Sequence, residues 1–378
     1  MKSIRSKSID IEFIVDSICN CFRSKYNRND VCKFIAQYSD GVLDKETVKL
    51  YAHNNDNFQL FIVPCFYNMA KEYYDEIINH NITFEPIATK ERVDKSSNKV
   101  RLISTESIKQ QIFDYICVDM MHDIFRRHLG AYQCASLPDR GQIYALEAIR
   151  NWIYNDRKGT KYFLKTDISD YFHSVNRDKV LDMVWDYTRN EQLLYIVNTI
   201  LNTYTRGLSI GSYLSQYLAN LFLSDVYHDL SQNYTYTKRG KVYNRVSHMM
   251  IYMDDILIFT RNKKNAQYIL KELEEMAKAK DLTIHNTSIV KFDNDTYIDA
   301  LGYKIYRTYT TLRKRNYKKI KFMTIEFRKK NMKLHDAFVT TSYYGLLCHS
   351  DNYKFNKRFG YDKLEKSARK IISDSMSI

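Results

Sequence analysis

The chain has 378 residues, which is long enough to form several packed cores around a cleft. Its formal net charge is +14 and its isoelectric point is about 9.2, a balance that favours nucleic acid over membrane as a partner. No apolar run reaches membrane-spanning length, and the N-terminal stretch lacks the uninterrupted apolar core of a signal peptide or anchor. We therefore expect a cytoplasmic protein that has no membrane partner.

The seven cysteines form neither a disulfide framework nor a zinc site. No two have C-x-x-C spacing, and Cys19, Cys21 and Cys32 cluster without a fourth ligand at zinc-site spacing. Reduced thiols packed in a cytosolic core are the expected outcome.

The hydrophobic pattern predicts one continuous, mostly helical assembly with a small sheet. Proline is scarce, and no glycine- or serine-rich linker or internal repeat divides the chain. Helical spacing of apolar residues covers 10–80, and 82–104 predicts two short strands around a polar turn at Lys95–Asn98. The later expectations are helices at 107–128 and 139–155, a buried strand in 161–172, helices at 176–203 and 213–231, a hairpin at 247–261, a helix at 263–280, strands in 282–292 and 297–306, and a basic helical tail from 313.

Three aspartates carry the strongest chemical signal in the chain. Asp167 ends an apolar strand in FLKTDISDYF, and Asp254 and Asp255 stand between two apolar runs in SHMMIYMDDILIFTR. A lone aspartate after a strand is usually a turn residue or cap, but two adjacent carboxylates in a buried hairpin are costly unless a cation or another partner compensates their charge. Carboxylates from neighbouring strands can hold two Mg²⁺ ions about 3.5–4 Å apart, which suits in-line displacement at phosphorus.

These motifs resemble those of a known enzyme family. Y-M-D-D in an apolar hairpin, preceded by a strand ending D-x-x-x-Y-F, is similar to motifs C and A of reverse transcriptases, and the resemblance runs from about residue 70 to 360. It implies an α+β right-hand polymerase with fingers, a palm that contains a small antiparallel sheet, and a helical thumb. The expected divisions are an N-terminal helical extension at 1–70, fingers at 71–160, a palm at 161–305 with a fingers insertion at about 176–206, and a basic helical thumb at 306–378.

The resemblance also implies roles for individual residues. Asp167, Asp254 and Asp255 are the expected catalytic metal ligands, and the backbone carbonyl of Ile168 is a further expected ligand. Phe172 falls at the steric gate against a 2′-hydroxyl, which implies dNTP substrates and a DNA product. The resemblance assigns Lys99, Arg101, Gly211 and Gln216 to the nucleotide, and Tyr252, Leu301, Gly302, Tyr303, Arg313, Arg315, Lys318 and Lys319 to the primer or template.

Some of these residues also have ordinary interpretations. Lys99 and Arg101 alternate on one predicted strand face, which suits phosphate contacts but also describes a solvated face. Phe172 without the family would be ordinary core. The basic run from Arg313 to Lys333 predicts steep salt dependence if it follows a nucleic-acid backbone, and a solvated helix face otherwise.

The segment Ile210–Gln216 favours one branch of the family. Most reverse transcriptases have Q-G-x-x-x-S-P here, whereas this chain has I-G-x-x-x-S-Q, similar to the enzymes of diversity-generating retroelements. Other departures, such as Lys109-Gln110-Gln111 where Asp-Arg is usual, resemble divergent defence-linked prokaryotic members.

The leading hypothesis is an RNA-directed DNA polymerase that copies a dedicated RNA by two-metal nucleotidyl transfer in a prokaryotic or phage-encoded diversity-generating retroelement. The expected cofactor is a pair of Mg²⁺ ions, with Mn²⁺ as a substitute. The expected partners are a structured non-coding template RNA, a DNA or RNA primer and dNTPs, with a small accessory protein or a second copy of the chain as further candidates. One alternative is an antiphage defence enzyme that works with a non-coding RNA, by repeat synthesis or without a template. A different class is a catalytically silent RNA-binding scaffold, which the intact aspartates argue against.

Overall fold

The computed structural model describes residues 8–94 and 99–376, and for residue 90, residues 92–94 and 99–103 and residue 376 it describes the backbone alone. The expected turn at Lys95–Asn98 lies outside these residues. No helix in the described ranges is long and apolar enough to cross a membrane.

Helices account for most of the described chain, as the apolar spacing predicts. The first group is α1 (Ile11–Phe22), α2 (Asn29–Ala36), α3 (Lys45–Tyr51), α4 (Asn55–Asn57), a π-helical turn (Phe58–Ile62), α5 (Val63–Ile78), α6 (Ile108–Met120), α7 (His122–His128) and α8 (Gln142–Asn155). The second group is α9 (Tyr171–Ser174), α10 (Arg177–Thr188), α11 (Glu191–Asn202), α12 (Tyr213–Phe222), α13 (Ser224–Gln232), α14 (Lys263–Ala279), α15 (Lys314–Phe327), α16 (Leu334–Leu347), α17 (Tyr353–Phe359) and α18 (Tyr361–Met376). Side-chain caps begin several of them: Asp10 accepts from the Phe13 amide at 2.8 Å, and Ser212 accepts from the Ser215 amide at 3.1 Å.

In the described residues the strands form one central sheet and three small ones. The strands are β1 (Ala88–Asp94), β2 (Lys99–Thr105), β3 (Gln133–Cys134), β4 (Tyr162–Ile168), β5 (Thr235–Lys238), β6 (Lys241–Asn244), β7 (His248–Tyr252), β8 (Asp255–Thr260), β9 (Ile284–Lys291), β10 (Ile298–Ala300), β11 (Tyr303–Ile305) and β12 (Thr310–Leu312). The central sheet has the order β3-β7-β8-β4-β9, and its pairs are antiparallel except for β3 with β7. The pairs β1-β2 and β5-β6 and the three-stranded β10-β11-β12 are separate sheets.

The central sheet separates two hydrophobic cores. Along β8, Ile256 and Ile258 belong to a first core with α1, α5, α6 and α10–α14, whereas Leu257 and Phe259 belong to a second core with α8, β10–β12 and the C-terminal helices. This alternation is the two-residue period of a strand buried on both faces. It explains why the hairpin reads as continuously apolar in the sequence.

Each of the two cores combines elements from more than one of the expected domains. Helix α1 packs against both α5 and α6, and Ser17 donates to the Asp119 carboxylate at 3.0 Å, so the N-terminal helices are part of the first core. Strand β3 joins the central sheet, and helix α8 covers one face of it. Both lie in the segment expected to form the fingers. The order of elements is as predicted, but β3, the β5-β6 hairpin and β12 were missed because two- to four-residue strands leave little periodicity to detect.

Candidate active site

Pairing within the central sheet brings the predicted aspartates to one end of it. Asp167 on β4 stands opposite Asp255 on β8 in the antiparallel register. The Ile168 amide donates to the Asp254 carbonyl at 3.0 Å, which fixes the β7-β8 turn to the end of β4. In that turn Met253 adopts the left-handed conformation, with φ of 54°. Strand register alone therefore brings Asp167 and Asp255 together.

The carboxylates are more exposed than the apolar flanks suggest. Asp254 is exposed, and 45% of the Asp255 side chain is exposed, so the two carboxylates are not buried with the strands of the hairpin. The apolar residues bury the strands, whereas the turn itself projects beyond the sheet. Hydration and one lysine reduce the repulsion: Lys165 Nζ lies 3.7 Å from Asp255 Oδ1 and donates to the Asp299 carbonyl at 2.8 Å.

The donor chemistry at this end of the sheet fits a hard divalent cation. Asp167 and Asp255 lie on the same sheet face by alternation, and Asn286 donates its amide to Asp167 Oδ2 at 3.3 Å. Carboxylate oxygens are the ligands that Mg²⁺ prefers, and partial exposure leaves room for water and phosphate oxygens. Among the described residues no group of three or more His, Cys, Asp or Glu side chains is arranged to hold an ion, so the three aspartates do not converge as a preformed site.

The segment after β4 positions Phe172 beside a glycine loop. Phe172 is half-buried on the short helix α9, and its carbonyl accepts from the Leu208 amide at 2.7 Å. A Cβ on Gly207 would lie 2.4 Å from the Phe172 carbonyl oxygen and 2.5 Å from that of His173, and Gly207 has φ of +54°. Only glycine fits there without displacing α9. Next to Phe172, the hydroxyl of buried Tyr171 donates to the Ala219 carbonyl at 2.6 Å, which fixes α9 to α12.

Gly211 and Gln216 line a cavity of about 300 Å³ at the base of the β1-β2 hairpin. A Cβ on Gly211 would lie 2.5 Å from the Ser104 carbonyl oxygen, so the absence of a side chain at Gly211 lets this loop approach the end of β2. The N-terminal helices also reach this cavity, because Lys25 lines it and its Nζ lies 5.1 Å from the centre of the Tyr115 ring.

A buried pair of acids behind this cavity was not predicted from the sequence. Asp114 on α6 accepts from the Ser212 hydroxyl at 2.7 Å and the Leu214 amide at 3.2 Å, and Glu106 accepts from the Tyr204 hydroxyl at 2.8 Å. Burial and the neighbouring Glu106 carboxyl raise the pKa of Asp114 well above its usual range, and burial raises the pKa of Glu106. The two acids link the end of the β1-β2 hairpin, α6 and the start of α12.

For the expected phosphate-binding residues the structure gives only the backbone. Lys99 pairs with Asp94, and Arg101 pairs with Arg92, in the β1-β2 ladder. Their side chains lie outside the described part of the chain, so their contact with a nucleotide stays a prediction.

The β10-β11 turn contains two residues of positive φ, and the tyrosine that follows them is buried. Leu301 and Gly302 both have positive φ, at 54° and 80°, and the Leu301 carbonyl accepts from Gln142 Nε2 at 2.6 Å. Tyr303 is fully buried, and its hydroxyl donates to the Leu346 carbonyl at 3.0 Å. Its side chain therefore joins this hairpin to the thumb helices and is not presented to a primer. Tyr252, in contrast, is half-buried at the end of β7 and pairs in register with Asp255.

The first thumb helix exposes the predicted basic residues. Arg315, Lys318 and Lys319 are exposed on α15, whose opposite side is buried in the second core. Arg313 differs, because its Nε is paired with Asp299 Oδ1 on β10, and the carboxylate partly neutralises the charge of the guanidinium.

The fold and this end of the sheet define a right-hand polymerase of the α+β class. Residues 93–305 match the family described as "Reverse transcriptase (RNA-dependent DNA polymerase)". The match covers more than half of the chain, which belongs to the reverse transcriptase family and is an RNA-directed DNA polymerase.

Other comparisons add little to the family assignment. A structure of apo telomerase from Candida tropicalis, truncated from the C-terminal domain, is similar to this chain, with 10% sequence identity, a TM-score of 0.40, and coverage of 74% of this chain and 73% of that one. A search of curated proteins found no match.

Proposed function

We propose that the chain synthesises DNA on an RNA template, with Asp167, Asp254 and Asp255 as metal ligands and Mg²⁺ as the ion. The observation that carries this proposal is the opposition of Asp167 and Asp255 in the sheet, with Asp254 in the adjoining turn. Reverse transcriptase domains generally use divalent metal ions. Mn²⁺ has similar oxygen ligands and is the expected substitute.

The protein groups at the site have distinct parts in this proposal. When bound, the ions would lower the pKa of the primer 3′-hydroxyl and neutralise charge on the pyrophosphate that leaves. Asp167 and Asp255 hold them from opposed strands, and the carbonyl of Ile168 is a proposed further ligand. The bond from the Ile168 amide to the Asp254 carbonyl holds the turn in place, and Lys165 adds a fixed positive charge beside Asp255.

Nucleotide selection is assigned to the ring of Phe172. Its backbone carbonyl accepts from the Leu208 amide, which fixes the backbone that carries the ring to the glycine loop. A bulky ring at this position would collide with a 2′-hydroxyl, and dNTPs are therefore the proposed substrates. Lys99 and Arg101 are the proposed triphosphate contacts, and Gly211 and Gln216 are proposed to border the nucleotide.

The remaining divisions follow the right-hand plan. We assign 71–160 to the fingers, 161–305 to the palm and 306–378 to the thumb, with 1–70 as an extension packed on the fingers. Helix α8, inside the proposed fingers range, packs against the central sheet of the palm. The basic helix α15 is proposed to follow the backbone of the template–primer duplex, and Tyr252 and the β10-β11 turn to hold the primer end.

For the biological role we favour mutagenic copying of a dedicated RNA in a diversity-generating retroelement. The support is Ile210, which is exposed where most of the family has glutamine, next to Gly211. Antiphage defence with a non-coding RNA is the second candidate, and the Lys109-Gln110-Gln111 segment favours it. Gln110 is buried and hydrogen-bonded to Thr203, so this segment has an uncharged internal residue where most of the family has Asp-Arg.

Primer extension tests the proposed activity. Purified protein, an RNA template with an annealed primer, dNTPs and Mg²⁺ should yield extended DNA, and Asp255→Asn should abolish extension while template–primer binding changes little. Asp186→Asn is the matched control, because Asp186 is an exposed carboxylate on α10 that pairs with Arg189 at the end of the same helix. Retained extension by Asp255→Asn would reject the ligand assignment. Binding without extension by the wild type would favour the silent scaffold.

A further inference from the structure

We propose that a groove lined by tyrosines, on the side of the palm and thumb remote from the aspartates, binds an unpaired stretch of RNA. The groove, here called the tyrosine groove, consists of two adjoining cavities of about 540 and 570 Å³. Helix α8 and the β11-β12 turn line the first cavity, and the turn and the start of α17 line the second. Tyr309 lines both.

The groove presents aromatic faces at intervals along its length. Tyr154 at one end is 86% exposed and Tyr353 at the other is 74% exposed. Between them the ring of Tyr309 stacks on that of Tyr306, with centroids 4.3 Å apart and planes 18° apart. Exposed tyrosine rings offer flat apolar faces on which a ligand can stack.

The floor of the groove is held rigidly. Arg307 donates through NH2 to the Phe292 carbonyl at 2.6 Å and to the Thr160 carbonyl at 2.8 Å. The Thr310 amide donates to Asp351 Oδ2 at 2.5 Å, and the Asp351 amide donates to the Thr310 carbonyl at 2.7 Å. A platform fixed in this way loses little conformational entropy when a ligand stacks on it.

The tyrosine groove is separate from the candidate active site. Arg307 contacts Thr160, just before β4 begins, whereas Asp167 lies near the end of that strand. Seven residues of extended chain at about 3.3 Å each separate the two positions by about 23 Å. The part of a nucleic-acid strand that is bound at the aspartates therefore does not lie in the groove.

Single-stranded RNA is the occupant that the chemistry favours. Bases stack on exposed aromatic rings without sequence preference, and nearby cations contact the phosphates. The cations that can reach phosphates in the groove are Arg150 and Lys354, against Glu147 and Asp351. Arg307 is engaged with the carbonyls of the floor, and the Asp351 carboxylate already accepts the Thr310 amide. Lys357 and Arg358 on α17 continue the positive charge toward the basic helix α15, on which α17 packs.

This inference rests on the proposed function, because an enzyme that copies RNA must hold unpaired RNA outside its active site. The excess of cations in the groove is small, so most of the affinity should come from stacking. Removing the tyrosines should therefore weaken binding without changing its salt dependence, unlike removal of thumb lysines.

The test uses the full-length chain and a fluorescent twelve-nucleotide oligouridylate that carries one 4-thiouridine. Tyr154→Ala combined with Tyr353→Ala should weaken binding about tenfold or more, from the loss of two stacking positions. Tyr154→Trp with Tyr353→Trp should keep it. Tyr268→Ala is the matched control, because Tyr268 is a half-exposed tyrosine on α14, away from the groove.

Crosslinking decides where the oligonucleotide lies. Peptides that contain Tyr154, Tyr309 or Tyr353 should carry the crosslinked uridine, and extension of a fully annealed short template–primer should not change in the double alanine variant. Unchanged oligonucleotide affinity in that variant, or crosslinks confined to other peptides, would overturn the proposal. Altered molecular mass by light scattering with unchanged RNA affinity would also overturn it and identify a contact between copies. Failure of wild-type primer extension would reject the proposed activity while leaving the binding result readable.

Discussion

Substitution of Gly207 by alanine tests how the glycine loop holds Phe172. Two costs are expected from the structure. An alanine at φ of +54° costs about 1–2 kcal/mol in the left-handed region. The overlap of its Cβ with two carbonyl oxygens, at 2.4 and 2.5 Å, adds a packing cost of about 1–3 kcal/mol. We expect the free energy of unfolding to fall by about 2–5 kcal/mol, within the stability of a folded domain.

Gly240→Ala separates these two costs. Gly240 has φ of +75° in the β5-β6 turn, and no described atom lies within 4 Å of the added Cβ. It therefore carries the backbone strain without the overlap, and the difference between the two variants in urea unfolding measures the overlap alone. Equal destabilisation of both variants would refute the close contact between the loop and α9.

The same variant has a functional consequence. The overlap pushes α9 away from the loop, so the ring of Phe172 should move and the preference for dNTPs over rNTPs should decrease. Single-nucleotide incorporation with each substrate measures that preference. An unchanged ratio in a variant that shows the full destabilisation would separate Phe172 from nucleotide selection.

Two further variants, one double and one single, test the basic helix α15 and the buried acid pair. Lys318→Ala with Lys319→Ala should lower the slope of log affinity against log salt for a template–primer duplex by about 1–2, while Lys271→Ala on the exposed face of α14 should leave it unchanged. Asp114→Asn should reduce the pH dependence of stability. Burial raises the pKa of Asp114 and of Glu106, so both carboxyls hold their protons more tightly in the folded chain than in the unfolded chain. Their contribution to stability is therefore full below the ordinary carboxyl pKa of about 4 and is lost as the pH rises through the raised pKa of each group. Urea unfolding across the neutral range should show a smaller loss in the variant, and an identical loss would contradict the assigned pKa direction.

Local sequence patterns predicted most of the elements and the positions of the aspartates. The alternation of buried residues along β8 and the helical spacing in α1 are properties of a few consecutive residues. The resemblance then predicted the right-hand polymerase fold, which is confirmed. The roles of the individual site residues stay predictions.

Features that depend on contacts between distant segments could not be read from the sequence. The burial of Tyr303 requires the thumb helix that carries Leu346, and the acid pair requires α6 to meet the start of α12. The exposure of Asp254 follows from how far the turn extends past the sheet, which the apolar flanks do not encode. Each misjudged feature is one in which tertiary packing decides the environment of a side chain.

Counting bound Mn²⁺ tests the central claim most directly, because it reports on the ions and not on product formation. Electron paramagnetic resonance can measure Mn²⁺ bound to the chain with a template, a primer that lacks its 3′-hydroxyl, and a matching dNTP. We predict about two ions per chain for the wild type and fewer for Asp255→Asn, with Asp186→Asn unchanged. Equal Mn²⁺ binding by the wild type and Asp255→Asn would contradict the account.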